Sequence, residues 1–475
     1  MITDNKYSLA FRSMFREYDI RGRVNEEELC PDNVYKIVSA YAKYIKRRNI
    51  LRAVVGYDSR SCSPSFAEAA TKALIDNGVD VFFTGLTLSP VTYFAQYHLS
   101  CEGAVMITAS HNPDGWSGFK FANGYSKTLE PDDIKEVYSL LDAPNDSDKK
   151  GIYTEVDVRD AYIEAIVSRI HMGPKKPRIV IDAANGGAGL FAYEVFQRLG
   201  CMTFQLNIDP DTTFPRYFPN PSDIKGRELL RKMVLHPYVH ADIGLSFDGD
   251  GDRIGVIDEK GENVWSDTVL ALLAKQLLTK TPGATVIYDV KCSKTLTDVI
   301  EQNGGHPVMW ETGHSYIKAK MHELHAELAG ERSGHIFIGG DDWYGFDDAT
   351  FVAAKLLEFL SYSENTVSEI IDTFPKYITS PEIKAFCPDE KKYGIVDEIT
   401  EKFKKEYPNK VCDVNGARVQ FEHGWGLIRA SSNLPELVLI FEADTKDHML
   451  EIRNIFKKQT RAYSDISDKW DNDVI

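Results

Sequence analysis

Four short stretches hold residue types that can do chemistry together. The first is Thr108-Ala109-Ser110-His111-Asn112-Pro113, directly after the apolar run 103–107. Pro113 fixes φ and lacks an N–H, and Asn112 suits a turn, so a buried strand is expected to deliver Ser110 to a tight, exposed turn. The second stretch is Asp248-Gly249-Asp250-Gly251-Asp252-Arg253. Its glycines let the chain turn while three carboxylates converge, and a hard divalent cation such as magnesium takes such oxygens. An EF-hand does not fit, although Glu259 stands at the twelfth position: Arg253 stands at the sixth, where that loop needs glycine. The flanks, 244–247 and 254–257, also read as strands rather than helices.

Three carboxylates around one dication leave negative charge that Arg253 can offset, and one phosphate oxygen from another loop would complete the shell. Ser110 is the natural carrier of that oxygen. It is not in a G-x-S-x-G elbow. Acyl transfer with the adjacent His111 is the weaker alternative, because sequence neighbours rarely align for proton transfer. Lys120, shortly downstream, suits a transferring phosphoryl group. The third stretch alternates Glu331, Ser333 and His335 between glycines, and carboxylate, hydroxyl and imidazole suit sugar hydroxyls. The fourth, Arg429-Ala430-Ser431-Ser432-Asn433, offers a guanidinium, two hydroxyls and an amide as a phosphate cradle.

The elements that position these stretches repeat. An apolar strand ending in aspartate occurs at 53–58, 179–182 and 286–289. Each is followed by a helical segment, a second strand (79–83, 202–206, 306–310) and then one of the first three polar loops. The period is roughly 110 residues, far longer than a solenoid repeat, and implies three related mixed α/β domains. Pro31 opens an early helix with Val34, Ile37, Val38, Tyr41, Tyr44 and Ile45 on its apolar face. A second helix is expected over 63–76. Past about residue 373 the pattern changes to close strands at 417–421, 426–430 and 437–441 and a helix over 446–458, a smaller α+β domain.

With 43% hydrophobic residues a sizeable core can form, and a net charge of −16 argues against broad nucleic-acid or membrane-surface binding. Seven scattered cysteines contain no Cys-x-x-Cys pair, so reduced thiols and a cytoplasmic location are expected. No signal peptide or run long enough to span a bilayer is read.

Taken together, the chain resembles the α-D-phosphohexomutase family, most of all its bacterial phosphomannomutase/phosphoglucomutase members. The resemblance rests on Tyr18-Asp19-Ile20-Arg21-Gly22, the Ser110 and Asp248 loops, Asp289-Val290-Lys291-Cys292, Thr312-Gly313-His314-Ser315, and the Glu331 and Arg429 loops, in family order across nearly the whole chain. It implies an α/β, heart-shaped molecule of four domains: three related mixed α/β domains and a smaller C-terminal α+β domain. We set their limits at 1–155, 156–258, 259–372 and 373–475. It implies a phosphoserine at Ser110, one Mg2+ on Ser110, Asp248, Asp250 and Asp252, and sugar contacts from Glu331 and Ser333. Phosphate contacts carry over to Arg429, Ser431 and Ser432, while Lys120, Arg253, Lys291, His314, Tyr18 and Arg21 line the family's cleft. His111, Lys120 and His314 are the candidate proton acceptors, and sequence does not choose among them.

The implied reaction moves a phosphoryl group between carbons 1 and 6 of mannose or glucose phosphate, with hexose 1,6-bisphosphate as intermediate and activator. Hexose phosphates are then the partners of a monomer, with a dimer as the alternative. Other readings are a phosphoglucosamine mutase, a hexose bisphosphate synthase, a metal-dependent phosphatase and a silent sugar-phosphate sensor. Two departures from the family bear on sugar choice: Ser432-Asn433 where Asn-Thr is common, and a cation, Arg332, inside the Glu331 loop.

Overall fold

The computed structural model describes residues 6–145, 147–223, 226–432 and 434–473. The first sheet contains β1 (Ile20–Arg23), β2 (Arg52–Tyr57), β3 (Asp80–Leu86), β4 (Gly103–Ile107), β5 (Trp116–Asn123) and β6 (Tyr153–Glu155). The second contains β7 (Arg178–Asp182), β8 (Met202–Leu206), β9 (Ile243–Phe247), β10 (Ile254–Asp258) and β11 (Asn263–Val264). The third contains β12 (Thr285–Asp289), β13 (His306–Trp310), β14 (Leu328–Gly330) and β15 (Ile336–Ile338).

One topology recurs in all three. The orders β5-β4-β2-β3, β10-β9-β7-β8 and β15-β14-β12-β13 are the same arrangement of a first strand at the centre, a second on one side, and a third and fourth on the other. The first three strands of each set are parallel and the fourth is antiparallel. The turn from third to fourth strand therefore leaves the carboxyl end of a parallel strand, the end at which open α/β sheets bind ligands. Those turns carry Ser110, Asp248–Asp252 and Glu331–Ser333. The limit set at residue 258 falls one hairpin short, because β11 pairs with β10 and stays in the second sheet.

Covering of both faces explains why the central strands read as unbroken apolar runs. Ala53, Val55, Val105 and Ile107 pack with Val34, Ile37, Val38 and Tyr41 of the helix Pro31–Lys46 and with Phe66 and Leu74 of the helix Ser63–Asp76. Val54 and Ala104, on the opposite face, join a second cluster. That cluster continues through Ile179, Ile181 and Leu245 of the second sheet into Val286, Tyr288 and Leu328 of the third. The first three units thus share one core, and the site loops sit on a common rigid base.

The last sheet, β16 (Ile378–Thr379), β17 (Ile383–Phe386), β18 (Val411–Cys412), β19 (Ala417–Gln420), β20 (Gly424–Ala430) and β21 (Glu436–Ala443), has its own core with the helices Asp389–Glu406 and Lys446–Thr460. A small patch of Val290, Trp425, Leu427 and Ile440 joins it to the third unit. Arg418 adds hydrogen bonds from Nη1 to Val290 O (2.6 Å) and Cys292 O (2.9 Å).

A separate core predicts separate melting. Phe456 is fully buried against Phe403 and Phe441, so Phe456→Ala costs about 3–5 kcal/mol. Scanning calorimetry is expected to show two transitions, of which this substitution lowers one. A single transition that shifts as a unit would contradict an independently cored C-terminal unit.

Candidate active site

Ser110 lies in a buried turn, not the exposed one expected from sequence: it is 1% exposed and faces the second sheet's loop. Its φ is +50°, a left-handed conformation that costs a non-glycine residue roughly 1–3 kcal/mol and persists only where its surroundings enforce it. The enforcement is visible. Ser110 N donates to Thr108 Oγ1 (2.8 Å), Asn112 N to Ala109 O (3.0 Å), and Ala109 N to Asp58 Oδ2 (3.3 Å). The Arg60 guanidinium caps the carbonyls of Ser110, Asn112 and Pro113.

The aspartate loop meets this turn directly. Ser110 Oγ donates to Asp248 Oδ2 at 2.9 Å, across 138 residues of chain. A Cβ on Gly249 would lie 2.6 Å from Ser110 O, so only glycine allows this approach. Asp248 Oδ1 accepts from the backbone N–H groups of Asp252 and Arg253, each at 3.1 Å, which curls the loop around its first carboxylate. Lys120, from β5, donates to Asp250 Oδ2 (2.7 Å), to Asp252 Oδ2 and to Ser89 Oγ (3.1 Å). Ser89 Oγ also donates to Asp250 Oδ2 (2.6 Å).

Three fully buried carboxylates cannot all carry charge cheaply. Burial, followed by Asp252 and Asp250, pushes Asp248 well above the usual carboxylate range. Burial and Asp252 also oppose ionisation of Asp250, but Lys120 and Ser89 outweigh them and hold it low. Asp250 Oδ1 and Asp252 Oδ1 are buried with no hydrogen-bond partner. All three residues offer ligand oxygens within 4.8 Å of one another. An all-oxygen, anionic set with two unpartnered oxygens fits a hard divalent cation.

The imidazoles differ in their engagement. Ser110 Oγ is 3.2 Å from His111 Nδ1, and burial, then Arg253 and Arg21, holds His111 well below its usual pKa, in the neutral form. His314 is likewise held neutral by burial, then Lys318 and Lys120, and both its ring nitrogens are buried without partners. His335, expected to reach a sugar hydroxyl, is turned elsewhere. Arg253 Nε donates to its Nε2 at 2.8 Å, and its Nδ1 lies 2.8 Å from Asp347 Oδ2. It orients Arg253 rather than presenting a free ring.

Glu331 and Ser333 do come together. Gly313 N donates to Glu331 Oε1, and Ser333 Oγ to Glu331 Oε2 (2.9 Å). Lys291 pairs with Glu382 (3.0 Å) and approaches Asp289 (3.7 Å). Tyr18 packs edge-on against His314 with ring centroids 4.9 Å apart. Arg21 is held by Asp19 (2.8 Å) in the field of Asp250 and Asp252.

Arg429 is 6% exposed; its Nη2 donates to Ser432 Oγ at 3.3 Å, while its Nε is buried without a partner. Its charge acts on Tyr18 of the first unit and Lys291 of the third. Ser431 Oγ accepts from Leu434 N (3.2 Å). Asn433 lies outside the described residues. The fourth unit also touches the first: Tyr393 OH donates to Glu17 Oε1 at 2.6 Å.

Sequence reasoning missed Ser89, Asp347 and Arg60. Only Arg60 left a sequence signal: Asp58-Ser59-Arg60 stands at the carboxyl end of β2 as Asp289-Val290-Lys291 stands at that of β12. The guanidinium of Arg332, inside the Glu331 loop, is taken up by backbone carbonyls. It is buried, with Nη1 donating to Lys291 O (3.3 Å) and Nη2 to Ser380 O (3.4 Å). A second cluster, His423, Asp444 and His448, lies at the opposite end of β20 from Arg429. Its rings stack at 3.9 Å and 10°, so no point within bonding distance of both rings lies in both ring planes, as imidazole ligation of one ion requires.

Comparison with known proteins places this geometry. Family models described as phosphoglucomutase/phosphomannomutase match domain I over residues 12–147, domain II over 160–261, domain III over 265–377 and the C-terminal domain over 382–459. The chain is 39% identical to a phosphomannomutase/phosphoglucomutase of Pseudomonas putida, covering 94% of this chain and 95% of that one. It is 38% identical to a phosphoglucomutase of Neisseria gonorrhoeae, covering 94% and 96%. A crystal structure of a phosphoglucomutase/phosphomannomutase family protein from Burkholderia thailandensis superposes with a TM-score of 0.88 at 34% identity, covering 95% and 97% of the two chains. With four family models matched in order and relatives at 38–39% identity over nearly the whole chain, the chain belongs to the phosphoglucomutase/phosphomannomutase family.

Proposed function

We propose that this protein is a hexose-phosphate mutase that moves a phosphoryl group between carbons 1 and 6 of mannose or glucose phosphate. The contact that carries the reading is Ser110 Oγ to Asp248 Oδ2, 2.9 Å, at the rim of a buried three-carboxylate loop. The names of the relatives support the two sugars. Asp248, Asp250 and Asp252, with an oxygen on phosphorylated Ser110, would hold Mg2+. When bound, the ion supplies charge neutralisation to the transferring phosphoryl group.

The rest falls to the chain's own side chains. The P–O bond to Ser110 Oγ breaks as a new P–O bond forms at the sugar's free hydroxyl, giving hexose 1,6-bisphosphate. The hydroxyl's proton goes to a neutral imidazole. His111 serves the serine oxygen, 3.2 Å away, and His314, with both nitrogens unengaged, serves the sugar. Lys120 and Arg253 meet the phosphoryl oxygens, Arg253 held in place by His335. Glu331, Ser333 and Lys291 bind the sugar, and Arg429, Ser431 and Ser432 clamp whichever phosphate is not reacting. The intermediate turns over, and Ser110 takes the other phosphate back. The Tyr393–Glu17 contact closes the fourth unit on the first, which excludes water and protects the phosphoserine. All these groups come from one chain. The seven free thiols support a cytoplasmic location, and no helix among the described residues is long and apolar enough to cross a membrane.

Mass mapping of the purified protein is expected to find phosphate on Ser110. Ser110→Ala should lower kcat for conversion of mannose 1-phosphate or glucose 1-phosphate by about 1,000-fold or more. Unchanged turnover in that variant, or release of free phosphate in step with substrate use by the intact protein, would refute the phosphoserine mutase.

Arg429→Gln removes a charge-assisted clamp worth about 2–3 kcal/mol, so KM for the hexose phosphate should rise roughly 30–160-fold with a smaller loss in kcat. Steady-state kinetics with an unchanged KM would take this loop out of the site.

A further inference from the structure

Arg60 is 2% exposed, and its side-chain hydrogen bonds join the Ser110 turn to one carboxylate. Nη2 donates to Ser110 O (2.9 Å) and Asn112 O (2.6 Å). Nη1 donates to Pro113 O (2.9 Å) and, more weakly, to Trp116 O (3.4 Å). Nε donates to Asp58 Oδ2 at 3.1 Å. Asp58 is pinned in turn, its Oδ1 accepting from Arg60 N (3.1 Å) and Ser63 Oγ (2.6 Å) and its Oδ2 from Ala109 N (3.3 Å). One planar fork therefore ties the end of β2 to both sides of Ser110.

This brace answers a specific need. Ser110 has a left-handed backbone, and its carbonyl sits in a buried turn beyond the end of the β4–β5 ladder. Such carbonyls need donors, and the unfavourable φ needs external constraint. Lysine's single ammonium could not cap the peptide oxygens of Ser110, Asn112 and Pro113 and hold a carboxylate in a fixed plane; guanidinium can.

The three repeats sharpen the contrast. The position two residues past the central strand's aspartate is Arg60 in the first unit, Ala184 in the second and Lys291 in the third. Lys291 faces Glu382 and the cleft, whereas Arg60 turns inward onto backbone. Sequence equivalence alone would give Arg60 a ligand-binding part, but its donors are already engaged.

We propose that Arg60 is a positioning residue for phosphoryl transfer, fixing the Ser110 turn so that the phosphate on Oγ stays in line beside Asp248. The proposal rests on Ser110 being the phosphoryl carrier. Misplacement of a reacting atom by about 1 Å can cost around 100-fold in rate, so the effect belongs in kcat.

The test compares the phosphorylated full-length enzyme with Arg60→Lys and Arg60→Gly, using glucose 1-phosphate. Arg60→Lys should lower kcat about 30-fold or more with KM within about 3-fold, and phosphate should leave Ser110 faster without substrate. Added guanidinium should restore kcat saturably in Arg60→Gly, a response that a general loss of folding would not give. A folded Arg60→Lys enzyme with kcat within about 2-fold of the parent, or no guanidinium rescue in Arg60→Gly, overturns the assignment. Parent enzyme that never carries phosphate on Ser110 overturns the phosphoserine reading itself, and this one with it.

Discussion

The constraint on which the structure turns is the burial of three carboxylates beside one serine hydroxyl. Like charges so close, and fully removed from water, demand compensation. Lys120 supplies one positive charge from β5, and the Ser110 hydroxyl and two peptide N–H groups satisfy Asp248. What remains is a pair of carboxylate oxygens without hydrogen-bond partners, in an all-oxygen set that fits a divalent cation. The residues that brace the Ser110 turn keep these groups facing one another.

The fold makes that arrangement by repetition. Three sheets of one topology aim the same turn, third strand to fourth, at a common space, and a core shared across the sheets fixes their relative placement. One turn then brings Ser110, one the acidic cluster and one Glu331. The fourth unit has a separate core and meets the others through a small apolar patch, the Lys291–Glu382 ion pair and several hydrogen bonds. That division suits a clamp that must engage and release a substrate while the reacting groups stay fixed.

Much of this was legible in the sequence because it depends on local pattern. Apolar runs ending in aspartate gave the central strands, Gly103–Ile107, Met202–Leu206 and His306–Trp310 fall where the alternation of elements placed them, and the helix over 63–76 has the expected bounds. The glycine-spaced aspartates announced their convergence. What was not legible depends on contacts between distant residues. Nothing in Thr108–Pro113 shows that its turn is buried, since the burial comes from the Asp248 loop and Arg60. His335 looked like a sugar ligand from its neighbours Glu331 and Ser333, but Arg253 and Asp347, far away in sequence, claim its ring. Arg332 looked like an intruder in the sugar loop until its fork was found on Lys291 O and Ser380 O.

In the proposed mechanism, two loops from different units share one cation through a phosphorylated hydroxyl. Anomalous diffraction from crystals of the phosphorylated protein soaked with Mn2+ tests it most directly. One strong manganese peak is expected, ligated by Asp248, Asp250, Asp252 and an oxygen of phosphorylated Ser110, with the Lys120 ammonium moved off the carboxylates. Manganese bound elsewhere, with Lys120 still bridging Asp250 and Asp252, would contradict it.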